Sequence, residues 1–137
     1  MAKKLGYIKT TRQLASQNNT GRQYDKTHAV TLVATAAVAA CRFIAYDGGY
    51  PSVAGGAKDS QGVAETAAAP GEALSVVTGY SYLVEAEAPI VFGALVKVGT
   101  DGKAITGTLA DHCGRALGAA TAAGQLIEVQ IYKHVHA

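Results

Sequence analysis

The sequence contains no tryptophan, only two phenylalanines and a single methionine among its 137 residues. A core of alanine, valine, leucine and a few tyrosines buries less apolar area per residue than an aromatic core does. The length is that of one domain, large enough for a modest core. We therefore expect association with copies of the chain, or with a larger partner, to supplement its stability.

Cysteine and long apolar runs are scarce too. Cys41 and Cys113 are too few and too far apart for a disulfide framework, which is typical of a reducing cytoplasm with both thiols free. No apolar run approaches the roughly 18 residues that a membrane span needs. The opening stretch MAKKLGYIKTTRQ carries charge without the apolar segment of a signal peptide. These features predict synthesis in the cytoplasm and no membrane partner.

The small net charge of +2 is unevenly distributed. Residues 1–28 carry six basic residues and one acidic residue, whereas residues 29–137 carry six basic and nine acidic. The first segment also has few large apolar residues and a polar middle, SQNNTGRQ, so it buries little area to offset its ordering entropy. We predict an extended basic arm over 1–28 that orders on a partner, followed by a folded body over 29–137. The alternative is a terminal tail without a role.

The body is predicted to consist of strands joined by glycine-containing turns. Its β-rich runs alternate apolar and polar residues or lie next to Asp-Gly pairs, which favour tight turns. The predicted strands are Ala29–Ala34, Ala40–Tyr46, Ala94–Gly99 and Lys103–Thr106, with turns at Asp47-Gly48-Gly49 and Asp101-Gly102.

Two stretches of the body resemble each other. GVAETAAAPGEALSVVTG (62–79) and GRALGAATAAGQLIEVQI (114–131) both read Gly-x-Ala, then small residues, then a glycine and a β-rich run. The glycines that open them, Gly62 and Gly114, are 52 positions apart, and the two Asp-Gly turns are 54 apart. Such self-similarity predicts a tandem repeat over about 38–79 and 91–131.

The repeat also decides against a helix in the alanine-rich second copy. Its alanines favour helix by propensity, but glycines interrupt them and the first copy has Pro70-Gly71 at the matching place. Each copy is therefore predicted to be strand, tight turn, strand. The fold class is all-β, a small β-barrel or tulip-like body in which small residues permit tight curvature. One short helical turn is predicted over Ala88–Gly93, with Pro89 in its first turn.

Candidate catalytic and metal-binding residues are few. Asp111-His112-Cys113 places an acid, a base and a thiol in sequence, but neighbours on a strand point to opposite faces, so a turn aspartate and a buried thiol explain them better. His134 and His136 lack a third ligand. Residues 97–104 lack the leading glycine and the hydroxyl of a phosphate loop. Glu85 and Glu87 are interpreted as a solvated face. We predict no catalytic site, no cofactor and no metal.

The order of these segments resembles the small capsid decoration (cement) proteins of tailed bacteriophages, a head-operon family long described only as a domain of unknown function. The resemblance rests on the Gly-x-Ala strands, the run PIVFGALVKVGTDGKAITG and the stretch GRALGAATAAGQ, and it covers about 38–132. It implies a β-barrel or β-tulip body on the outer surface of a mature phage head. It further implies homo-oligomers, with trimers at local threefold positions favoured, that join neighbouring subunits of the major capsid protein.

Two contact regions follow as hypotheses. The arm is expected to bind the capsid through its cations and two tyrosine anchors, and the apolar bridge after Pro89 is expected to mediate self-association. The arm residues are Lys3, Lys4, Tyr7, Lys9, Arg12, Arg22, Tyr24 and Lys26, and the bridge residues are Pro89, Ile90, Val91, Phe92 and Leu95.

Two other classes of function remain open. A basic arm can neutralise phosphates, so a non-sequence-specific nucleic-acid-binding accessory protein is the main alternative. The acidic body and the lack of an aromatic stacking platform disfavour nucleic acid as a partner. A small thiol enzyme is the remaining alternative, and one unusually reactive cysteine would reveal it.

Overall fold

The computed structural model describes residues 28–52 and 56–132. These residues form nine β-strands and no α-helix, with 3-10 turns at Gly56–Lys58 and Thr100–Gly102. The predicted all-β class is therefore confirmed. The strands are β1 (Ala29–Val33), β2 (Phe43–Ala45), β3 (Ser60–Ala64), β4 (Ala73–Val77), β5 (Ser81–Glu85), β6 (Leu95–Val98), β7 (Ala104–Thr106), β8 (Gly114–Ala116) and β9 (Leu126–Ile131).

The strands form two antiparallel sheets. The first has the order β1-β4-β3-β2 and the second the order β5-β9-β8-β6-β7. At the centre of the β1–β4 pair Thr31 lies opposite Ser75, and at the centre of the β5–β9 pair Leu83 lies opposite Glu128. The second sheet curls so far that Ala86, just after β5, forms a parallel bridge with Ala104 of β7 at the opposite edge. The body is thus a curled half-barrel rather than a flat sheet.

The two sheets share one strand arrangement. Strands β1, β4, β3 and β2 of the first half correspond in order to β5, β9, β8 and β6 of the second, and β7 is an addition. The isolated bridge between Val38 and Ala68 recurs 52 positions later between Ile90 and Ala120. Both bridges are closed by reciprocal backbone hydrogen bonds of 2.9–3.0 Å. The structural correspondence between the halves begins at β1 and β5, which precede the repeat of about 38–79 and 91–131 that the sequence predicts.

Glycines in the two Gly-x-Ala strands allow the strands to approach closely. A Cβ atom at Gly62 would lie 2.1 Å from the carbonyl oxygen of Val77, and one at Gly114 would lie 2.4 Å from that of Gln130. These distances are far inside van der Waals contact, so only glycine fits at either position. These two glycines therefore permit close approach of neighbouring strands, a role different from the barrel curvature that the sequence predicts for the small residues.

Each half has its own core, and a third set of side chains joins the halves. Ala34, Val38, Ile44, Ala64, Ala68, Leu74 and Val76 form the first core, and the corresponding residues of the second half are buried in the second. The second core also contains Phe43, Val63 and Val77 of the first half, none of them more than 2% exposed. These three side chains therefore hold the two halves together.

The predicted helical turn over Ala88–Gly93 is wrong. Ile90 is held in an extended bridge with Ala120, and the next residues form a tight turn in which the Ala94 N–H donates to the Val91 carbonyl at 3.1 Å. Gly93, with φ of +86°, supplies the left-handed conformation that this turn needs. Tertiary pairing thus overrides the helix-start signal of Pro89.

The other strand predictions agree with the structure apart from their ends. The predicted strand Ala40–Tyr46 shortens to β2, because Cys41 has a φ of +60° that no strand accommodates. The two strands around Asp101-Gly102 form the expected hairpin, β6 paired with β7. No helix in the described ranges is long and apolar enough to cross a membrane.

Candidate interaction surfaces

Asp111, His112 and Cys113 differ in their surroundings. The Asp111 carboxylate accepts hydrogen bonds from the Thr108 N–H at 2.7 Å and its hydroxyl at 2.9 Å, and forms an ion pair with Lys97 at 3.2 Å. The hydrogen bond from the Thr108 backbone is the main reason that the pKa of Asp111 is lowered. The His112 Nδ1 atom lies 3.2 Å from the Leu109 carbonyl oxygen. The aspartate is thus occupied in closing a turn.

The thiol of Cys113 lies inside the second core. It is 4% exposed, and burial raises its pKa to about 12. A thiol with that pKa is almost entirely protonated at neutral pH, and the thiolate is the nucleophilic form. Cys113 therefore has the character of a packing residue.

We expect Cys113 to react with iodoacetamide at pH 8 at least about 100-fold more slowly than a free cysteine, because both burial and its high pKa oppose attack. Peptide mapping by mass spectrometry over a time course measures the rate. The same sample in denaturant is the control, where Cys113 should react at the ordinary rate. Equal rates in the two samples would show that the thiol is accessible and active.

Metal ligation finds no support in the described residues. Among 28–52 and 56–132, no group of three or more His, Cys, Asp or Glu side chains is placed to hold a metal ion. His134 and His136 lie outside the described residues.

Glu85 and Glu87 are not simply a solvated face, and that interpretation is corrected. Glu85 accepts hydrogen bonds from Arg42 at 3.0 and 3.3 Å, and its second oxygen lies 3.9 Å from Lys103. Glu87 accepts a hydrogen bond of 2.6 Å from the Thr100 N–H. Both carboxylates therefore tie loops together, a role hidden in the sequence because their partners lie up to 43 residues away.

Arg42 and Glu85 form the polar part of the joint between the halves. Arg42 also donates to the Asp101 carbonyl at 3.1 Å, and the Glu85 N–H donates to the Cys41 carbonyl at 2.9 Å. The joint thus combines side-chain and backbone contacts along the outer edge of β5.

The predicted self-association bridge forms an exposed turn on the second half. Val91 is 75% exposed and Phe92 65% exposed, Pro89 is also exposed, and Leu95 is half-buried. Ile90 is corrected: it is 2% exposed, because its bridge with Ala120 turns its side chain into the core. The available apolar surface is therefore the tip of the turn, Val91 and Phe92.

A chain of contacts extends from this tip across the second half. Arg115 donates to the Gly93 carbonyl at 2.8 Å and to the Tyr132 hydroxyl at 3.0 Å. The Tyr132 ring meets the His112 ring edge to face, with centroids 5.6 Å apart. Leu109, which lies beside His112, is 81% exposed. No local sequence pattern indicates this arrangement, because its members come from separate turns and strands.

The predicted arm residues cannot be placed. Lys3, Lys4, Tyr7, Lys9, Arg12, Arg22, Tyr24 and Lys26 all lie outside the described residues.

A curled two-sheet body whose described part presents exposed apolar turns places the chain among small all-β proteins. It belongs to the phage cement protein family, because the model of that family matches residues 23–131. The chain is thus a structural protein of the phage head, associated with the capsid.

The comparison with solved structures agrees on the fold. The head fibre gp8.5 N base of bacteriophage phi29 superposes with a TM-score of 0.59 at 21% sequence identity, covering 80% of this chain and 97% of the other. The search of curated proteins finds no match.

Proposed function

We propose that this protein binds the outer surface of the mature phage head and stabilises contacts between subunits of the major capsid protein. The observation that carries the proposal is its membership of the phage cement protein family over residues 23–131. The similar solved structure is named as the base of a head fibre, which supports an external position. The exposed apolar tip at Val91 and Phe92 gives the body a surface that a partner could cover.

The arm is the proposed source of most of the attachment. Its six cations against one acidic residue suit acidic loops of a capsid surface, with gains in association rate and specificity more than in affinity. Several arms in one oligomer would add through effective concentration.

The tip of the Pro89–Leu95 turn is the proposed contact between copies. Phe92 is a large aromatic side chain that is 65% exposed, and covering it with a second copy would remove that apolar area from water. A trimer at local threefold positions is the oligomer that this proposal favours.

The nucleic-acid alternative has less support. The described residues carry five basic and nine acidic side chains, so the body itself repels a polyanion. Tight, steeply salt-dependent binding of duplex DNA by the full chain would favour that alternative.

The test is co-sedimentation of the full chain with purified phage heads. We expect binding to expanded heads and not to unexpanded precursors. A variant lacking residues 2–27 should bind at least about tenfold more weakly, and so should a matched full-length variant with the six arm cations replaced by glutamine. Failure of the full chain to bind expanded heads would contradict the function. Unchanged binding by both variants would contradict the role of the arm alone.

A further inference from the structure

Strand β1 is an edge strand: within residues 28–52 and 56–132, no other strand pairs with its outer side. It pairs with β4 alone, at the end of the first sheet. Two hydrogen bonds flank this pair: the Thr78 N–H donates to the His28 carbonyl, and the Ala34 N–H donates to the Glu72 carbonyl. Because successive residues of an antiparallel strand point their peptide groups alternately toward and away from the partner, these bonds show which residues of β1 face β4. Val30 and Leu32 therefore bond to β4, and the peptide groups of Ala29, Thr31 and Val33 point away from it.

The corresponding edge of the second half is covered. In β5 the outward residue equivalent to Val33 is Glu85, whose N–H donates to the Cys41 carbonyl of the first half. Glu85 also brings a charge to that edge, and Arg42 pairs with it. In the part of the chain that the structure describes, this edge is thus covered in the second half and uncovered along most of β1 in the first.

The residues of β1 provide none of the usual protection against strand pairing. The strand reads Ala-Val-Thr-Leu-Val, with no charge and no proline. Val30 is 42% exposed and Val33 62% exposed. Exposed edges of this composition are templates for another strand, which is why proteins normally place lysine or proline on them.

We propose that β1 pairs antiparallel with β1 of a second copy of this chain, which joins two four-stranded sheets across a twofold axis. The sequence of the strand is self-complementary in a register centred on Thr31. Thr31 then faces its own counterpart, a favourable cross-strand pair, and no like charges meet.

The same register covers both exposed valines. Val30 lies opposite Leu32 of the second copy on one face, and Val33 lies opposite Ala29 on the other. Gly48 packs against the Val33 carbonyl oxygen and obstructs that acceptor. The open peptide groups still allow about four hydrogen bonds between the copies.

The edge and the Val91–Phe92 tip lie on different halves of the chain. A copy could therefore use both contacts, one with a twofold partner through β1 and one through the turn. The β1 contact does not depend on capsid binding, so its failure in solution leaves the proposed function standing.

The experiment measures the mass of the full chain by sedimentation between about 1 and 100 µM. We expect the wild type to form at least a dimer, with the β1 contact present whether or not the turn contact also forms. Thr31→Pro should raise its dissociation constant at least about tenfold, because proline removes an outward donor and blocks the edge while leaving the β4 ladder intact. Thr31→Val, which keeps the N–H, is the matched control and should dimerise as the wild type does.

Crosslinking gives an answer even if Thr31→Pro does not fold. Thr31→Cys should form a disulfide-linked dimer under mild oxidation, and Ala36→Cys, exposed in the loop after β1, should do so no more than the wild type. A wild type that stays monomeric and does not crosslink at position 31 would overturn the proposal; residues 1–27 or the capsid would then be the candidates for covering the edge. A dimer that survives Thr31→Pro but is lost in Phe92→Asp would overturn it in favour of the turn.

Discussion

Phe43→Ala is expected to lower the free energy of unfolding by about 3–5 kcal/mol. Phe43 is fully buried, and although it belongs to the first half it packs in the core of the second. Its removal leaves a cavity at the joint between the halves that the neighbouring strands can only partly close. Urea unfolding followed by circular dichroism and tyrosine fluorescence measures the loss, with coincident transitions as the check for two-state behaviour.

The repeat supplies a matched control for this change. Leu95 occupies the position equivalent to Phe43 in the second half, at the start of β6, but it is only half-buried. Leu95→Ala should therefore cost about 1 kcal/mol. Equal losses of stability at the two positions would contradict the packing of Phe43 between the two halves.

The body illustrates which parts of a fold a sequence predicts well. The Gly-x-Ala similarity between 62–79 and 114–131 predicts the repeat, because a strand pair that must approach closely needs glycine at the same place in each copy. The similarity between β1 and β5 escapes notice, since AVTLVA and SYLVEA share only alternating apolar residues and a final alanine. Burial of one face of each strand requires only this alternating pattern, so the other residues differ between the two copies.

The interaction surfaces were less predictable. The apolar run Pro89–Leu95 indicates an exposed contact, but only the structure separates Phe92 at the tip from Ile90 in the core, because the bridge to Ala120 decides which side chain turns inward. The pairing of Arg42 with Glu85 depends on how the two halves dock, and no local pattern encodes a contact over 43 residues. The open edge of β1 is likewise a property of sheet order, which the strand's own residues do not reveal.

Alanine at Gly62 or at Gly114 is expected to destabilise the protein by about 3 kcal/mol or more. At each position the new Cβ would fall within 2.4 Å of a carbonyl oxygen on the neighbouring strand. A backbone atom in a paired strand cannot rotate away as a side chain can. The strands must therefore separate, and the hydrogen bonds of the β3–β4 or β8–β9 ladder lengthen or break.

Gly71→Ala and Gly124→Ala are the controls, one in each half. These glycines have φ of +88° and +90°, and a Cβ at either would meet nothing within 4 Å. Their replacement should cost only the conformational penalty of the left-handed region, about 1–2 kcal/mol. Thermal unfolding of all four variants separates the two mechanisms, since a loss of 3 kcal/mol lowers Tm by about 10 °C in a chain of this size. If Gly62→Ala and Gly114→Ala unfold at the temperatures of their controls, close strand approach does not explain the Gly-x-Ala repeat. If only one of the two is severely destabilised, the halves have diverged in the strand pairing that their sequences share.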